Sequence, residues 1–248
     1  MYHGFSVGPT TPTTAPSRIC PYAPSSPHLR SHRWKALDLD GYLRALDSRG
    51  RSDRAYLVRI DDALQSVAEV GAPVLAEASV PSVLFAPSGL LGGRTAWLVE
   101  QPDEPILSAE ALRDLQPLGV EIGVHGWDHS SMAGMTDADL RRNTVDAREA
   151  VADATGTAPR AFAYPYGDYD ARAIDAVARA GYLIAFSVYT DDGLHALSRS
   201  DVKPDDSVTA FLCKLIPRYR AVWRAVGQVK PVRRLLRVGA QRSGHRAA

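Results

Sequence analysis

The feature that most constrains this chain is a repeated order of short apolar run, polar turn and amphipathic stretch, in which each polar turn directly follows the apolar run. Ala55-Tyr56-Leu57-Val58-Arg59-Ile60 ends on Asp61-Asp62. Val120-Glu121-Ile122-Gly123-Val124 ends on His125, and Ala161-Phe162-Ala163 ends on Tyr164-Pro165-Tyr166-Gly167. Pro81 to Ala86 and Tyr182 to Val188 supply two further strand candidates. Helical stretches are expected over 37–46, over 63–78 with a bend at Pro73, over 108–116 and 136–155 capped by Ser108 and Thr136, and over 170–180. Strands alternating with helices predict an α/β protein with a mainly parallel sheet, because parallel neighbours need a crossover between them. Such folds place their active sites at the carboxyl ends of the strands, so the three polar turns are expected to converge on one mouth.

Those turns hold a coherent chemistry. His125 and His129 are four apart and share a face if the loop makes one helical turn. Two imidazoles and one carboxylate make a three-ligand site for a divalent ion and leave a position open for water. Asp61 and Asp62 point in different directions if the chain is still extended there, so one is free to act as a base while the other binds. Paired aspartates and paired histidines are each common in ordinary surface turns; their coincidence at successive strand ends is what points to a hydrolase.

With these residues in place the chain resembles the polysaccharide deacetylase family, the NodB-homology domain of family-four carbohydrate esterases, over about residues 55–202. Arg59-Ile60-Asp61-Asp62-Ala63 stands for the family's Thr-Phe-Asp-Asp-Gly, His125-Gly126-Trp127-Asp128-His129 for its His-Ser/Thr-x-x-His, and Ala163-Tyr164-Pro165-Tyr166-Gly167 for its Arg-Pro-Pro-Tyr-Gly. The resemblance implies a distorted, incomplete (β/α) barrel. It implies Asp61 as catalytic base, Asp62, His125 and His129 as ligands of a divalent metal ion (zinc by default, with cobalt, nickel or iron fitting the same set), and a Tyr166 backbone N–H facing the oxyanion. The substrate it implies is an N-acetylated glycan.

The chain departs from the family pattern at several places. Arg59 and Ala63 replace Thr and Gly; Arg59 is expected on the barrel exterior or paired with an acid. Ala163 stands where the family carries an arginine that orients the base, and Arg199 is the expected substitute. The family's late Asp-x-x-Asp-Trp motif is missing, with Asp191-Asp192 in about its place. His195 is the histidine available as general acid, with an exposed loop role as the plain alternative, and His3 is a second histidine for the mouth. Trp127, Tyr164, Pro165 and Arg199 are read as substrate-contacting residues, Trp127 as a sugar-stacking platform or a rim-packing residue. The departures keep open a catalytically silent barrel that binds carbohydrate or serves as a membrane-associated scaffold. An Fe(II) oxygenase would use the same ligands but leaves Asp61 without a task.

Composition sets the flanks. Residues 1–33 are rich in Pro, Ser and Thr and lack periodicity; residues 34–206 form the barrel; residues 207–248 are a basic helical tail. That tail holds ten of the 29 Lys and Arg and no acid, which leaves the preceding 206 residues at a net charge of −9. Apolar residues from Phe211 to Val226 recur at helical spacing, so the tail is expected either to pack on the barrel or to meet an anionic membrane surface or a membrane-bound partner. No nucleic-acid motif accompanies the charge, and nucleic-acid binding is not expected. Cys20 and Cys213 form no disulfide framework. No signal peptide or transmembrane run is read, so a cytoplasmic, membrane-peripheral location is expected.

Overall fold

A computed structural model describes residues 34–47, 54–95, 97, 104–188, 191–202 and 213–214. The expected irregular segment 1–33 with His3, and all of the basic tail but Cys213 and Lys214, lie outside the described residues.

Strands β1 (Lys35–Ala36) and β2 (Ala55–Tyr56) form a small parallel pair. The main sheet contains β3 (Val58–Ile60), β4 (Ser82–Ala86), β5 (Val120–Val124), β6 (Ala161–Ala163), β7 (Ile184–Ser187) and β8 (Leu197–Ser198) in that spatial order, every neighbour parallel. The sheet curls into a half-barrel, the incomplete (β/α) barrel that the alternation and the resemblance imply. The expected strand 55–60 is divided at Leu57 between the two sheets, and β8 is an addition to the sequence reading.

Side-chain parity sorts the strands onto two faces. Leu84 and Ala86 of β4, Phe162 of β6 and Ala185 of β7 join the outer core, where Leu75, Leu112, Val151 and Val177 arrive from the helices. These come from α2 (Ala72–Glu77), α3 (Ala109–Leu115), α5 (Ala147–Thr155) and α6 (Ala171–Arg179). Val83, Phe85, Ala161, Ala163, Ile184 and Phe186 point the other way, and α1 (Leu39–Asp47) covers them with Leu39, Tyr42 and Leu43. With both faces covered, all five residues of β4 are buried, which explains its unbroken apolar run.

The caps read from sequence form as expected: Ser108 Oγ accepts from the Ala111 N–H at 3.2 Å, and Thr136 Oγ1 from the Asp139 N–H at 3.2 Å. Two expected helices are not continuous. The stretch before α2 is a π turn over Val67–Gly71, with Pro73 in the first turn of the helix that follows. The 136–155 helix is α4 (Asp137–Arg141), a π turn over Arg142–Asp146, then α5, which stops at Gly156 with φ 73°. No described helix is long and apolar enough to cross a membrane.

Candidate active site

Parity also builds the site. Counting in twos from the inner residues Leu57, Phe85 and Leu197 places Asp61, Pro87 and Arg199 on the inner side just past β3, β4 and β8; His125 follows β5 in the same way. All lie at the carboxyl edge of the sheet. The backbone there is strained: Asp62 (φ 73°), Ala63 (φ 51°), His129 (φ 61°) and Tyr166 (φ 57°) are non-glycine residues in the left-handed region. Among the described non-glycine residues only Ser79 shares that conformation away from the site. Left-handed backbone costs about 1–2 kcal/mol per residue, and its concentration at one mouth marks a site whose geometry is over-determined by its surroundings.

The two adjacent aspartates have different partners. Asp61 Oδ1 accepts from Arg199 Nη1 at 2.5 Å, and both side chains are almost completely buried. Arg199 is itself held by a bond from Nε to the Ser187 carbonyl at 3.1 Å. Asp62 Oδ1 instead lies 3.1 Å from His129 Nε2 and 3.5 Å from His125 Nε2. The left-handed turn that begins at Asp62 is what swings its carboxylate away from that of Asp61, whose Oδ2 is 3.8 Å from His125 Nε2.

Each histidine is set by its surroundings. His125 Nδ1 is 2.7 Å from the Ala163 carbonyl, which can only accept, so Nδ1 carries the proton and Nε2 presents its lone pair. Burial pulls the His125 imidazolium down to about pKa 4, against the opposing charge of Asp61, so the ring is neutral near pH 7. His129 is stacked on Trp97, with centroids 4.1 Å apart at 12°, and meets the Tyr166 ring edge-on at 4.6 Å. Ligand atoms of Asp62, His125 and His129 all lie within 4.8 Å of one another. A neutral imidazole with its other nitrogen already bonded, a second buried imidazole and a buried carboxylate fit a divalent cation.

The remaining predicted residues divide. Tyr166 is at the mouth and 46% exposed. Its turn is closed by Gly167 N–H to Tyr164 O and Asp168 N–H to Pro165 O, neither of which uses the Tyr166 N–H. Burial and the Asp62 charge raise its phenol, which stays protonated. Tyr164 is not a substrate contact: it is fully buried in the outer core and donates to the His195 carbonyl at 2.8 Å. Pro165 is likewise buried, beside Gly126 of the histidine loop. Trp127 is half-buried and packs at the rim, the second of its two expected roles. Its indole lies against the Gly89 backbone, where an added Cβ would stand 2.2 Å from Nε1, and the Arg142 guanidinium sits 5.0 Å above the ring.

His195 does not face the mouth. Its Nε2 is 2.9 Å from the Tyr182 carbonyl, and both residues precede the strands β8 and β7 that they lead into, at the amino edge of the sheet. Asp192, placed near the family's late motif, accepts instead from the Tyr169 hydroxyl at 2.6 Å. Arg59 is not on the exterior: it lies on the inner side with its guanidinium 4.7 Å from the Phe186 ring.

Two residues of the mouth escaped the sequence reading. Past β4, Arg94 is bridged antiparallel to Pro105 and the Thr95 N–H is bonded to the Glu104 carbonyl. This pairing is tied to the aspartate turn by Leu107 N–H to Ala63 O and Gln65 N–H to Pro105 O. Trp97 and Glu104 thereby reach the site, and burial together with the Asp62 charge raises the Glu104 carboxyl. Residues 87–107 carry no period and no motif from which a place at the mouth could be read.

Fold and site together define a class: a NodB-type half-barrel with an Asp-Asp turn and a His-x3-His loop at its mouth. The chain belongs to the polysaccharide deacetylase family, whose model matches residues 48–185. YxkH of Bacillus subtilis (strain 168) is 22% identical over 165 residues, 64% of this chain; the chain spans 56% of that relative's length. Among solved structures, the Streptococcus pyogenes deacetylase PplD superposes with a TM-score of 0.72 at 18% identity, covering 87% of this chain and 96% of its own. IcaB from Ammonifex degensii gives 0.69 at 19%, covering 85% and 94%.

Proposed function

We propose that this chain is a metal-dependent hydrolase that removes N-acetyl groups from amino sugars of a polysaccharide or its precursor. The observation that carries the reading is the division of labour between neighbours: Asp61 is held by Arg199, while Asp62 faces both histidines. A divalent ion held by Asp62, His125 and His129 would polarise the amide carbonyl and lower the pKa of the attacking water, zinc being the default and cobalt, nickel or iron fitting the same donors.

The chain's own residues supply the rest. Asp61, fixed by Arg199 and left out of the ligand set, takes the proton as water adds to the amide carbon. The Tyr166 N–H stabilises the developing oxyanion, a contribution of about 3 kcal/mol for a well-placed donor. We assign return of the proton to the leaving nitrogen to Asp61 itself, because His195 is engaged at the other edge of the sheet. Water is consumed, the C–N bond breaks, and acetate and a free amine leave.

The same position of His195 favours one second reading, a silent barrel that binds glycan without turning it over. Acetate release from a panel of N-acetylated glycans, using chelator-stripped protein reloaded with zinc or cobalt, separates the two. Metal-dependent release that Asp61→Asn abolishes supports the hydrolase. Glycan binding without release, from protein carrying one metal per chain, supports the silent barrel.

A further inference from the structure

We infer that Asn143, a residue of the outer helix layer, is a positioning residue for the histidine loop and sets how tightly that loop holds a metal. The inference rests on the ligand assignment above and names the device that presents two of its three members.

Asn143 sits in the π turn over Arg142–Asp146 and is 2% exposed. Its Oδ1 accepts from the Trp127 N–H at 2.8 Å, and its Nδ2 donates to the Asp139 carbonyl at 3.0 Å, with Met135 Sδ at 3.7 Å. The network fixes the amide orientation, since an N–H and a carbonyl face its two ends. Asp139 O is the acceptor that the backbone N–H of residue 143 takes in a regular α-helix; here the side chain reaches it. One amide thus joins the helix to the middle residue of the His125–His129 loop.

The rest of the loop shows why that single bond matters. On its other side β4 leads into Ser88, whose N–H donates to Gly126 O at 3.0 Å, and Gly89, whose N–H donates to Trp127 O at 2.8 Å. Trp127 is therefore held at both its backbone groups, by Gly89 and by Asn143. Gly126 has φ 74°, and a Cβ there would stand 2.9 Å from Asn143 Oδ1, so the amide occupies the room a side chain would take. Beyond Trp127 an Asx turn, Ser130 N–H to Asp128 Oδ1 at 3.2 Å, encloses the left-handed His129, whose ring rests on Trp97 and Tyr166. Releasing the Trp127 N–H lets that half of the loop relax, which moves His129 relative to His125.

The test compares cobalt affinity, by chelator competition and visible absorption, in four versions of the full chain. Asn143→Ala is expected to bind about tenfold or more weaker than wild type with an altered cobalt spectrum, the scale on which outer-shell partners of metal ligands act. Asn143→Asp keeps the acceptor toward Trp127 but loses the donor toward Asp139; it is expected to melt lower than wild type yet bind cobalt within a few-fold. Val151→Ala, in the core of α5, is expected to lower stability without moving affinity. If Asn143→Ala binds cobalt as wild type does, or if Val151→Ala weakens it as much, or if Asn143→Asp falls as far as Asn143→Ala, the assignment is overturned. If the wild-type chain itself fails to bind, the ligand reading has failed instead.

Discussion

Arg199 and Asp61 are 138 positions apart in sequence, yet Arg199 Nη1 stands 2.5 Å from Asp61 Oδ1 inside the barrel. The contact places a buried arginine on the carboxylate assigned as base, in a chain whose third motif carries Ala163 where the family pattern has its arginine. A buried charge left alone costs about 3–5 kcal/mol, so each member of this pair requires the other.

Arg199→Lys keeps the charge but loses the planar fork that bonds Asp61 and Ser187 O together. Turnover is expected to fall roughly a hundredfold, the scale of a misplaced catalytic group, while metal affinity stays at the wild-type value. Steady-state kinetics beside a cobalt titration check this. A parallel loss of metal would show that Arg199 supports the ligand cluster instead of the base.

Asp61 and Asp62 are expected to separate cleanly. Asp61→Asn should retain one metal per chain and lose about 10²- to 10⁴-fold in turnover, the usual contribution of a general base. Asp62→Ala and His129→Ala should lose the metal outright. Metal analysis after dialysis, paired with acetate release, distinguishes the two; an active Asp61→Asn would remove Asp61 from the mechanism.

Acid should weaken the metal-free fold through His125. Its folded pKa of about 4 lies below the ordinary 6.5, so between those values the unfolded chain binds the proton that the folded chain refuses. Stability is therefore complete above about pH 6.5 and falls as the pH drops toward 4, by about 3 kcal/mol in total. Urea unfolding in chelator from pH 7.5 to 4 should show this slope, and His125→Asn should flatten it. An unchanged slope in the variant would mean that other groups carry the acid sensitivity.

Trp97 should report the metal. Its indole is stacked 4.1 Å from the His129 ring, so cobalt added to stripped protein is expected to quench tryptophan fluorescence. Trp97→Phe should lose the larger part of that quench while still binding cobalt by absorption. Equal quenching in the variant would assign the signal to Trp127, the neighbour of both histidines in sequence.

The sequence alone determined everything that depends on local order. Alternating runs marked β3 to β7, Ser108 and Thr136 announced their helices, and Asp61 and His125 were legible because each directly follows a strand whose parity aims it, while Asp62 and His129 were legible as their partners in the Asp-Asp and His-x3-His motifs. Arg199 was also named, since the missing arginine of the third motif demanded a substitute. Tyr164 and Pro165 were misread because a motif states which residues are adjacent in sequence and not which face they present: parity sends Tyr164 outward, and Pro165 is buried beside Gly126. His195 was misplaced because β8 went unseen, and a residue that leads into a parallel strand lies at the edge opposite the site. The sites of Trp97, Glu104 and Asn143 were decided by tertiary structure alone. Segments without periodicity and a single amide in a π turn find their partners only when the sheet has curled and brought its strand ends together.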